Sequence, residues 1–416
     1  MNILSDPASA VDEIIRFNAD RDPRLVAIKY DKMADNVFAF FRGTDHLFVG
    51  RWKQFRPADV GPAILICGDL HLENFGAYQT EEGDFRFDIN DFDEAAVAPC
   101  GLDVVRAVAS ILLAAEVWNV SAVPASRIVI AFLTAYRAAV SDSAREGKTG
   151  AVKLGEGQGP IFELLGETAL GDRTAMLDKL TEKGHHGTRR IIRTDDKHPD
   201  VSEKKAERVR AAIEAYGLNT GDPKSFEVLD VTGRIAGVGS LGVRRYTVLI
   251  AGGGTPETNR LLDVKEATPS CITAAGASSH PAASDNEAVR VVSAQQQLQS
   301  RAAAGLAAIE IDGDPYRVRE MVPDENRSKL ERLQKKPEKL RSAVAVAGQL
   351  TGWAHIRGCQ VAKDENRQQS FVNWVESPAF DAVATSAARC VDVTFQDYEA
   401  FLQRYKDRRL NSNVTG

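Results

Sequence analysis

Two short acidic segments carry side chains that could move a proton and hold a metal ion. They read GDLHLEN at residues 68–74 and DINDFDE at residues 88–94. A carboxylate such as Asp69 can accept a proton from an attacking hydroxyl. Carboxylate and amide oxygens are the ligands that Mg²⁺ prefers beside substrate phosphates, which makes Asn74, Asp91 and Asp93 candidate metal ligands. We therefore expect magnesium-dependent phosphoryl transfer with Asp69 as the base, since this chemistry depends mainly on positioning and charge neutralisation.

The elements that flank these segments should bring them together. Residues 63–67 form an apolar run that predicts a buried strand ended by a glycine, and residues 84–89 alternate as a second strand does. Because only a short hairpin joins the two, Asp69 and Asp91 should lie close in space. The competing interpretation is a pair of acidic β-turns, since Asp, Asn and Gly are common turn residues. Crowded carboxylates repel one another unless a cation is present, which favours the functional interpretation.

Two further side chains are candidates for the same site. His71 lies inside the first segment and could orient Asp69, or it could only satisfy loop carbonyls; we include it as a catalytic candidate. Arg42 ends an aromatic cluster in FAFFRG. It is a candidate for contacting substrate or phosphate, although pairing with an interior acid would explain it equally well.

The segment GVGSLG at residues 237–242 is a second signal. A GxGxxG of the dinucleotide-binding type must open a helix, but here the strand-like VRRYTVLI follows it. A glycine-rich loop of protein kinases covers the nucleotide phosphates. We therefore predict that Gly237, Gly239, Ser240 and Gly242 bind ATP, and that Lys265, on the next predicted strand, contacts its α- and β-phosphates.

The lysine of such a site needs an acidic partner. Glu287, at the start of the next predicted helix, is the first candidate, and Glu266 and Glu310 are alternatives. The competing interpretation of the whole segment is a glycine-rich hairpin with a surface lysine.

Composition limits the classes of function. The chain has 416 residues, a formal net charge of −6 and an isoelectric point near 5.8, which argues against a general nucleic-acid binder because such proteins need a basic face. No run approaches the ~20 apolar residues that cross a bilayer. The five cysteines contain no CxxC pair and predict reduced thiols. We expect a cytoplasmic enzyme with a small-molecule substrate and no nucleic-acid or membrane partner; the sequence indicates no oligomeric state.

The pattern along the chain predicts an α+β fold with two lobes. Residues 1–215 carry helices around the acidic segments, and residues 216–335 form a β-rich nucleotide lobe. Residues 336–410 are predicted to be helices that return to the first lobe, followed by a loose tail at 411–416.

The motifs resemble those of known phosphotransferases. ICGDLHLENFG resembles the catalytic loop HGDxHxxN of aminoglycoside phosphotransferases and choline kinases, and NDFDEAAVAPCGLDVVRAVAS resembles their metal-binding segment. Over residues 20–410 the chain resembles an uncharacterised bacterial family, domain of unknown function 2252, which has been grouped with the protein-kinase-like superfamily. The resemblance implies a kinase-like fold in which Asp69 is the catalytic aspartate, Asn74 and Asp91 bind the metal, and Lys265 binds the nucleotide.

Two features depart from that pattern. Cys67 stands where the phosphotransferases usually have histidine. The glycine segment also follows the catalytic loop, with Gly237 lying 163 residues after Asn74, whereas in ordinary kinases it comes first. A circular permutation would explain this order, since the two lobes could meet as usual while the chain visits them in reverse.

Other functions compete with this hypothesis. Nucleotidyl transfer on the same fold would release pyrophosphate instead of ADP. Metal-dependent phosphoester hydrolysis is suggested by GDLH, but the upstream DxH and downstream GNH[DE] that such enzymes need are missing from the sequence. An inactive nucleotide-binding scaffold would have no need of a base such as Asp69.

Overall fold

The structure is a computed structural model, and it describes residues 7–169, 173–184, 188–277, 285–321, 330–360 and 366–414. Mixed helices and antiparallel strands confirm the α+β class. The helices are α1 (Pro7–Phe17), α2 (Pro23–Asp35), α3 (Val37–Gly43), α4 (Asp45–Phe55), α5 (Gly101–Val117), α6 (Ala122–Glu146), α7 (Pro160–Ala169), α8 (Arg173–Leu180), α9 (Glu203–Leu218), α10 (Cys271–Ala274), α11 (Glu287–Leu298), α12 (Pro337–Cys359), α13 (Arg367–Glu376) and α14 (Pro378–Val414).

The strands form small sheets in the first half of the chain and one larger sheet in the second. They are β1 (Ala63–Ile66), β2 (Phe75–Gln79), β3 (Phe85–Ile89), β4 (Ala96–Pro99), β5 (Val152–Lys153), β6 (Thr181–Lys183), β7 (Arg189–Ile191), β8 (Val228–Gly233), β9 (Arg245–Ile250), β10 (Arg260–Glu266), β11 (Ala307–Ile311) and β12 (Asp314–Glu320).

The acidic segments follow strands, as their patterns predicted. β1 ends just before the first segment, and it pairs antiparallel with β4. β2 and β3 form a hairpin in which Phe75 lies opposite Ile89. This register places the ends of the two acidic segments side by side, and the amide N of Asn90 donates to the carbonyl O of Asn74 at 2.7 Å.

The largest hydrophobic core surrounds α5, which is apolar on nearly every side and buried along most of its length. α12 packs along α6, while α14 packs against α5. The acidic segments lie at the edge of this core, because Leu70, Leu72 and Phe92 are buried in it. Apolar residues interleaved with the carboxylates thus anchor the loops that carry them.

A separate core lies under the larger sheet, whose strand order is β11-β12-β10-β9-β8 with all neighbours antiparallel. One face of this sheet is apolar and packs against α9. β9 and β10 match the strands predicted after the glycine segment and at Lys265, and the whole sheet lies within the predicted β-rich range 216–335. The glycine segment lies in the connection between β8 and β9, and Lys265 lies on β10.

Two segments differ from their sequence-based descriptions. α6 is long and apolar enough, by length and composition alone, to cross a membrane, although 39% of its most apolar window is buried inside the fold; core helices of water-soluble proteins pass the same test. α14 extends to Val414, into the segment predicted to be a loose tail. Residues 278–284, part of a predicted loop, lie outside the described residues.

Candidate active site

The catalytic-loop candidate begins at a strained turn directly after β1. Gly68 has φ +94°, a region that residues with a Cβ rarely occupy, and a Cβ there would lie 2.2 Å from the carbonyl O of Glu94. The two acidic segments therefore touch at this glycine. Asp69 follows it at the base of a cleft, where its side chain keeps 24% exposure.

Arg106 holds Asp69 from below. Its Nε lies 2.6 Å from Oδ1 of Asp69 and 3.0 Å from Oδ1 of Asp45, and its side chain is fully buried. The guanidinium also stacks over the ring of Phe41 at 4.2 Å. Burial raises the pKa of Asp69 to about 7, against the opposing effect of Arg106. Asp69 is thus poised to take up a proton near neutral pH, which suits a general base.

Arg106 was not predicted as a functional residue. A signal was present, since this cation interrupts the apolar pattern of α5. A charge in such a helix needs a buried partner. The partner itself could not be read from the sequence, because Asp69 and Arg106 lie 37 positions apart.

Asp103 supports the same loop through its backbone. Its carboxylate accepts hydrogen bonds from the amide N of Cys67 at 3.0 Å and of Gly68 at 2.9 Å. Behind it, Nε2 of His355 lies 3.3 Å from Oδ2, and Nδ1 of His355 lies 2.7 Å from the hydroxyl of Tyr136. A buried chain of hydrogen bonds therefore fixes the strand-to-loop turn that aims Asp69.

His71 and Asn74 complete the first acidic segment. Nδ1 of His71 accepts from the amide N of Glu73 at 3.2 Å, so the proton of the neutral ring is on Nε2, 4.0 Å from Oδ2 of Asp69. Burial, reinforced by Arg42, holds the pKa of His71 well below its ordinary value. The side-chain amide of Asn74 donates to the carbonyl O of Asp69, which leaves its own oxygen as the atom available to a metal ion.

The second acidic segment separates its two predicted metal ligands. Asp91 lines the cleft with an exposed side chain, and no ion pair to it occurs among the described residues. Asp93 instead pairs with Nζ of Lys265. Although burial opposes its ionisation, Lys265 holds the pKa of Asp93 below its ordinary range. Asp93 is therefore the partner of Lys265 in this structure.

This pairing corrects the prediction that Glu287 holds Lys265. Glu287 pairs with Arg290 one turn along its own helix. The two alternatives are also engaged elsewhere, because Glu266 pairs with Arg244 and Glu310 accepts from Asn286. The acid came from the second acidic segment, which no pattern in the sequence indicated.

The glycine segment covers the opposite side of the cleft. Gly237, Gly239 and Ser240 line it, whereas Gly242 faces away and lies against the side chain of Arg21. The carbonyl O of Gly239 accepts from Nη1 of Arg21 at 2.8 Å and from Nζ of Lys29 at 3.2 Å. These two cations, which the sequence did not single out, fix the loop from behind.

Arg42 reaches the same cleft from α3. Its guanidinium pairs with Glu73 at 2.8 Å and remains partly exposed to the cleft. It therefore borders the first acidic segment, next to the space above Asp69. A bound anion would have to compete with Glu73 for this cation.

The cleft as a whole has a volume of about 530 Å³. Five of its carboxylates come from the acidic segments and four of its cations from the larger sheet, whereas Arg21 and Arg42 reach it from the N-terminal helical region. About half of the lining residues are charged, and the charged ones are Arg21, Arg42, Asp45, Asp69, Glu73, Asp91, Asp93, Glu94, Arg245, Lys265, Glu266, Arg317, Arg319, Glu331 and Arg332.

The donor set fits magnesium at one place in the cleft. The carboxylate of Asp91 is exposed, and the largely buried amide of Asn74 also lines the cleft; both offer the oxygen ligands that magnesium prefers. A second group, formed by Asp45, Glu94 and Cys271, also brings its ligand atoms within 4.8 Å of one another. Burial raises the pKa of all three side chains, so that group favours bound protons over a cation.

Comparison with known proteins identifies a family but no characterised relative. No curated protein and no solved structure gives a significant match to the chain. A family model described as "Uncharacterized protein conserved in bacteria (DUF2252)" matches residues 21–404. That range contains every residue discussed above at the cleft. The chain therefore belongs to the DUF2252 family of uncharacterised bacterial proteins.

Proposed function

We propose that this protein is a magnesium-dependent phosphotransferase that moves the terminal phosphoryl group of ATP to a hydroxyl or amine of a small molecule. One observation carries the proposal: Asp69, Asn74, Asp91, the glycine segment and Lys265 all line one cleft. Lys265 and Asp93 touch although they lie 172 positions apart. Unrelated surface turns are not expected to bring these distant segments to one cleft.

The architecture supports a kinase-like arrangement with a permuted chain order. An antiparallel sheet carries a glycine connection between two strands and a lysine on the third, followed by a helix. A mainly helical body carries the acidic segments. In this proposal the first body is the acceptor lobe and the sheet is the nucleotide lobe, visited in the reverse of the usual order.

The reaction follows from the position of Asp69. Oδ1 is held by Arg106, so Oδ2 accepts the proton of the acceptor hydroxyl. The hydroxyl oxygen forms a bond to the γ-phosphorus, the bond between that phosphorus and the bridging oxygen breaks, and ADP leaves with the electron pair. Asn74 and Asp91 would hold Mg²⁺, which neutralises phosphate charge when it is bound. The cytoplasm would supply the ATP, and all five cysteines are buried free thiols.

The proposal is tested by calorimetric titration of magnesium-ATP into the wild type and Asp91→Asn. We expect the substitution to weaken binding by about tenfold or more, because it removes a charged metal ligand. Asp381→Asn is the matched control, since Asp381 is exposed on α14 and pairs only with surface Arg137 among the described residues. Equal affinities for the wild type and Asp91→Asn would remove this carboxylate from the site.

The products of turnover separate this reaction from its nearest alternative. ADP with a phosphorylated acceptor indicates phosphoryl transfer. AMP attached to the acceptor, with pyrophosphate released, indicates nucleotidyl transfer by the same cleft. Absence of turnover across a broad acceptor panel, with magnesium-ATP bound, would contradict both.

A further inference from the structure

The larger sheet presents a charged face to the cleft, unlike its apolar opposite face. The registers place Arg245, Lys265 and Arg317 directly beside one another on three adjacent strands. In the next row, Asp263 lies opposite Arg319. Side chains two positions apart on a strand share a face. We call the three arginines Arg245, Arg317 and Arg319 the arginine platform.

Asp263 lies within ion-pair distance of all three platform arginines. Asp263 is 2% exposed and lies 2.5 Å from Nε of Arg245, 3.4 Å from Nε of Arg319 and 3.5 Å from Nη2 of Arg317. A fourth guanidinium, that of Arg234, lies 3.3 Å away. Lys265, in the same row as Arg245 and Arg317, is paired with Asp93.

The platform lies in a net positive environment: the four arginines and Lys265 carry five positive charges, against three negative charges on Asp263, Asp91 and Asp93. The side chain of Arg317 is only 5% exposed, and its buried Nε has no hydrogen-bond partner in the described part of the chain. Burial and the neighbouring Arg317 lower the pKa of Arg319 to about 10. Like charges directly opposite on neighbouring strands destabilise a sheet. Such an arrangement is stabilised when an anion occupies the space between the side chains and the cleft.

Charged side chains outnumber apolar ones in the lining of the same cleft. The apolar ones are Phe17, Cys67, Phe75, Val238, Val243 and Cys271, against fifteen charged side chains. Ligand sites that recognise an aromatic ring are lined mainly by apolar and aromatic side chains. Charge complementarity here favours the phosphate chain of a donor over its base.

We propose that the arginine platform binds the phosphate chain of the donor, and that the protein selects its donor by this chain rather than by the nucleobase. The ligand class is a linear polyphosphate, which includes nucleoside triphosphates of any base and inorganic tripolyphosphate. The inference rests on the proposed function in one respect, since the bound polyphosphate is taken to be the phosphoryl donor. Binding of the polyphosphate itself can be measured without turnover. Forked guanidinium groups suit phosphate oxygens because each can donate two parallel hydrogen bonds.

Calorimetric titration of sodium tripolyphosphate into the full chain tests this inference. We expect saturable binding by the wild type and a loss of about tenfold or more in Arg317→Gln, because a charged hydrogen-bond donor is removed. Arg260→Gln is the control: it lies at the far end of β10, outside the cleft, and should change affinity less than about twofold. Arg317→Lys keeps the charge but loses the fork, and should fall between the two.

A second comparison tests base selection with ATP, GTP and CTP. We expect their affinities to agree within about tenfold, with tripolyphosphate competing against all three. Failure of tripolyphosphate to bind, equal weakening by Arg317→Gln and Arg260→Gln, or a strong preference for one base would each overturn the inference. If Arg317→Gln does not fold, Arg317→Lys and Arg319→Gln provide the same comparison.

The two proposals fail in different ways. Tripolyphosphate binding that depends on Arg317, without any nucleotide turnover, would support the proposal for the arginine platform and contradict the proposed phosphotransferase activity. Turnover that depends on Asp91, with tight selection of one base, would do the reverse.

Discussion

The pair formed by Asp69 and Arg106 makes a prediction about pH. A base with a pKa of about 7 is only about one tenth ionised at pH 6 and nine tenths ionised at pH 8. Because the base works in its ionised form, kcat/KM should fall about tenfold as the pH drops from 8 to 6. An aspartate with an ordinary pKa would give no change over that range.

The fall in kcat/KM at low pH is the acidic limb of the pH profile. Two substitutions around Asp69 should shift this limb in opposite directions. Arg106→Gln removes the cation 2.6 Å from the carboxylate, and an opposite charge at that distance lowers a carboxyl pKa by about one to three. The acidic limb should therefore move to higher pH by about that amount. Glu94→Gln removes a negative charge that raises the pKa of Asp69, so its limb should move to lower pH.

Release of ADP or AMP from magnesium-ATP, measured by chromatography from about pH 5 to pH 9, follows the limb directly. Arg51→Gln is the matched control, since Arg51 is another buried arginine and it pairs with Asp397 at 2.8 Å, outside the cleft. Each buried-pair variant should lose about 3–5 kcal/mol of stability, but only Arg106→Gln should move the limb upward. A wild-type limb near pH 4, or a limb that neither Arg106→Gln nor Glu94→Gln moves, would refute the assignment of Asp69 as the titrating base.

Two further predictions concern the backbone that aims Asp69. Gly68→Ala should lower the free energy of unfolding by about 2–4 kcal/mol, because it adds both left-handed strain and a clash. The control is Gly147→Ala, at φ +68° with nothing within 4 Å, which should cost about 1 kcal/mol. Equal losses of stability in urea unfolding would contradict the geometry at Gly68. Asp103→Asn removes the charge that holds the amides of Cys67 and Gly68. We therefore expect kcat to fall about tenfold or more while the KM for ATP changes little. A raised KM with unchanged kcat would show that Asp103 serves nucleotide binding instead.

Local pattern predicted much of what surrounds the cleft. The apolar run before Gly68 and the alternation of residues 84–89 correspond to β1 and β3. The glycine segment joins β8 to β9, and Lys265 lies on β10, as the alternation around them indicated. These predictions succeed because strand formation and tight turns depend on residues that are neighbours in sequence.

The ion pairs were beyond the reach of the sequence. Asp93 had the character of a metal ligand and proved to hold Lys265, while Glu287, the predicted partner, pairs with Arg290 instead. Which acid meets a given cation depends on how separate elements pack, and several acids lay at plausible positions. The roles of Asp69, Asn74 and Asp91 remain predictions that the experiments above address.

The sequence by itself determined the α+β class, the two acidic loops and the strand that carries Lys265, since each follows from short-range periodicity and turn chemistry. Only the tertiary structure decided that Arg106 lies under Asp69 and that four arginines gather around Asp263. Burying charge is costly unless partners meet, and those partners are brought together by strand register and helix packing across long separations in the chain.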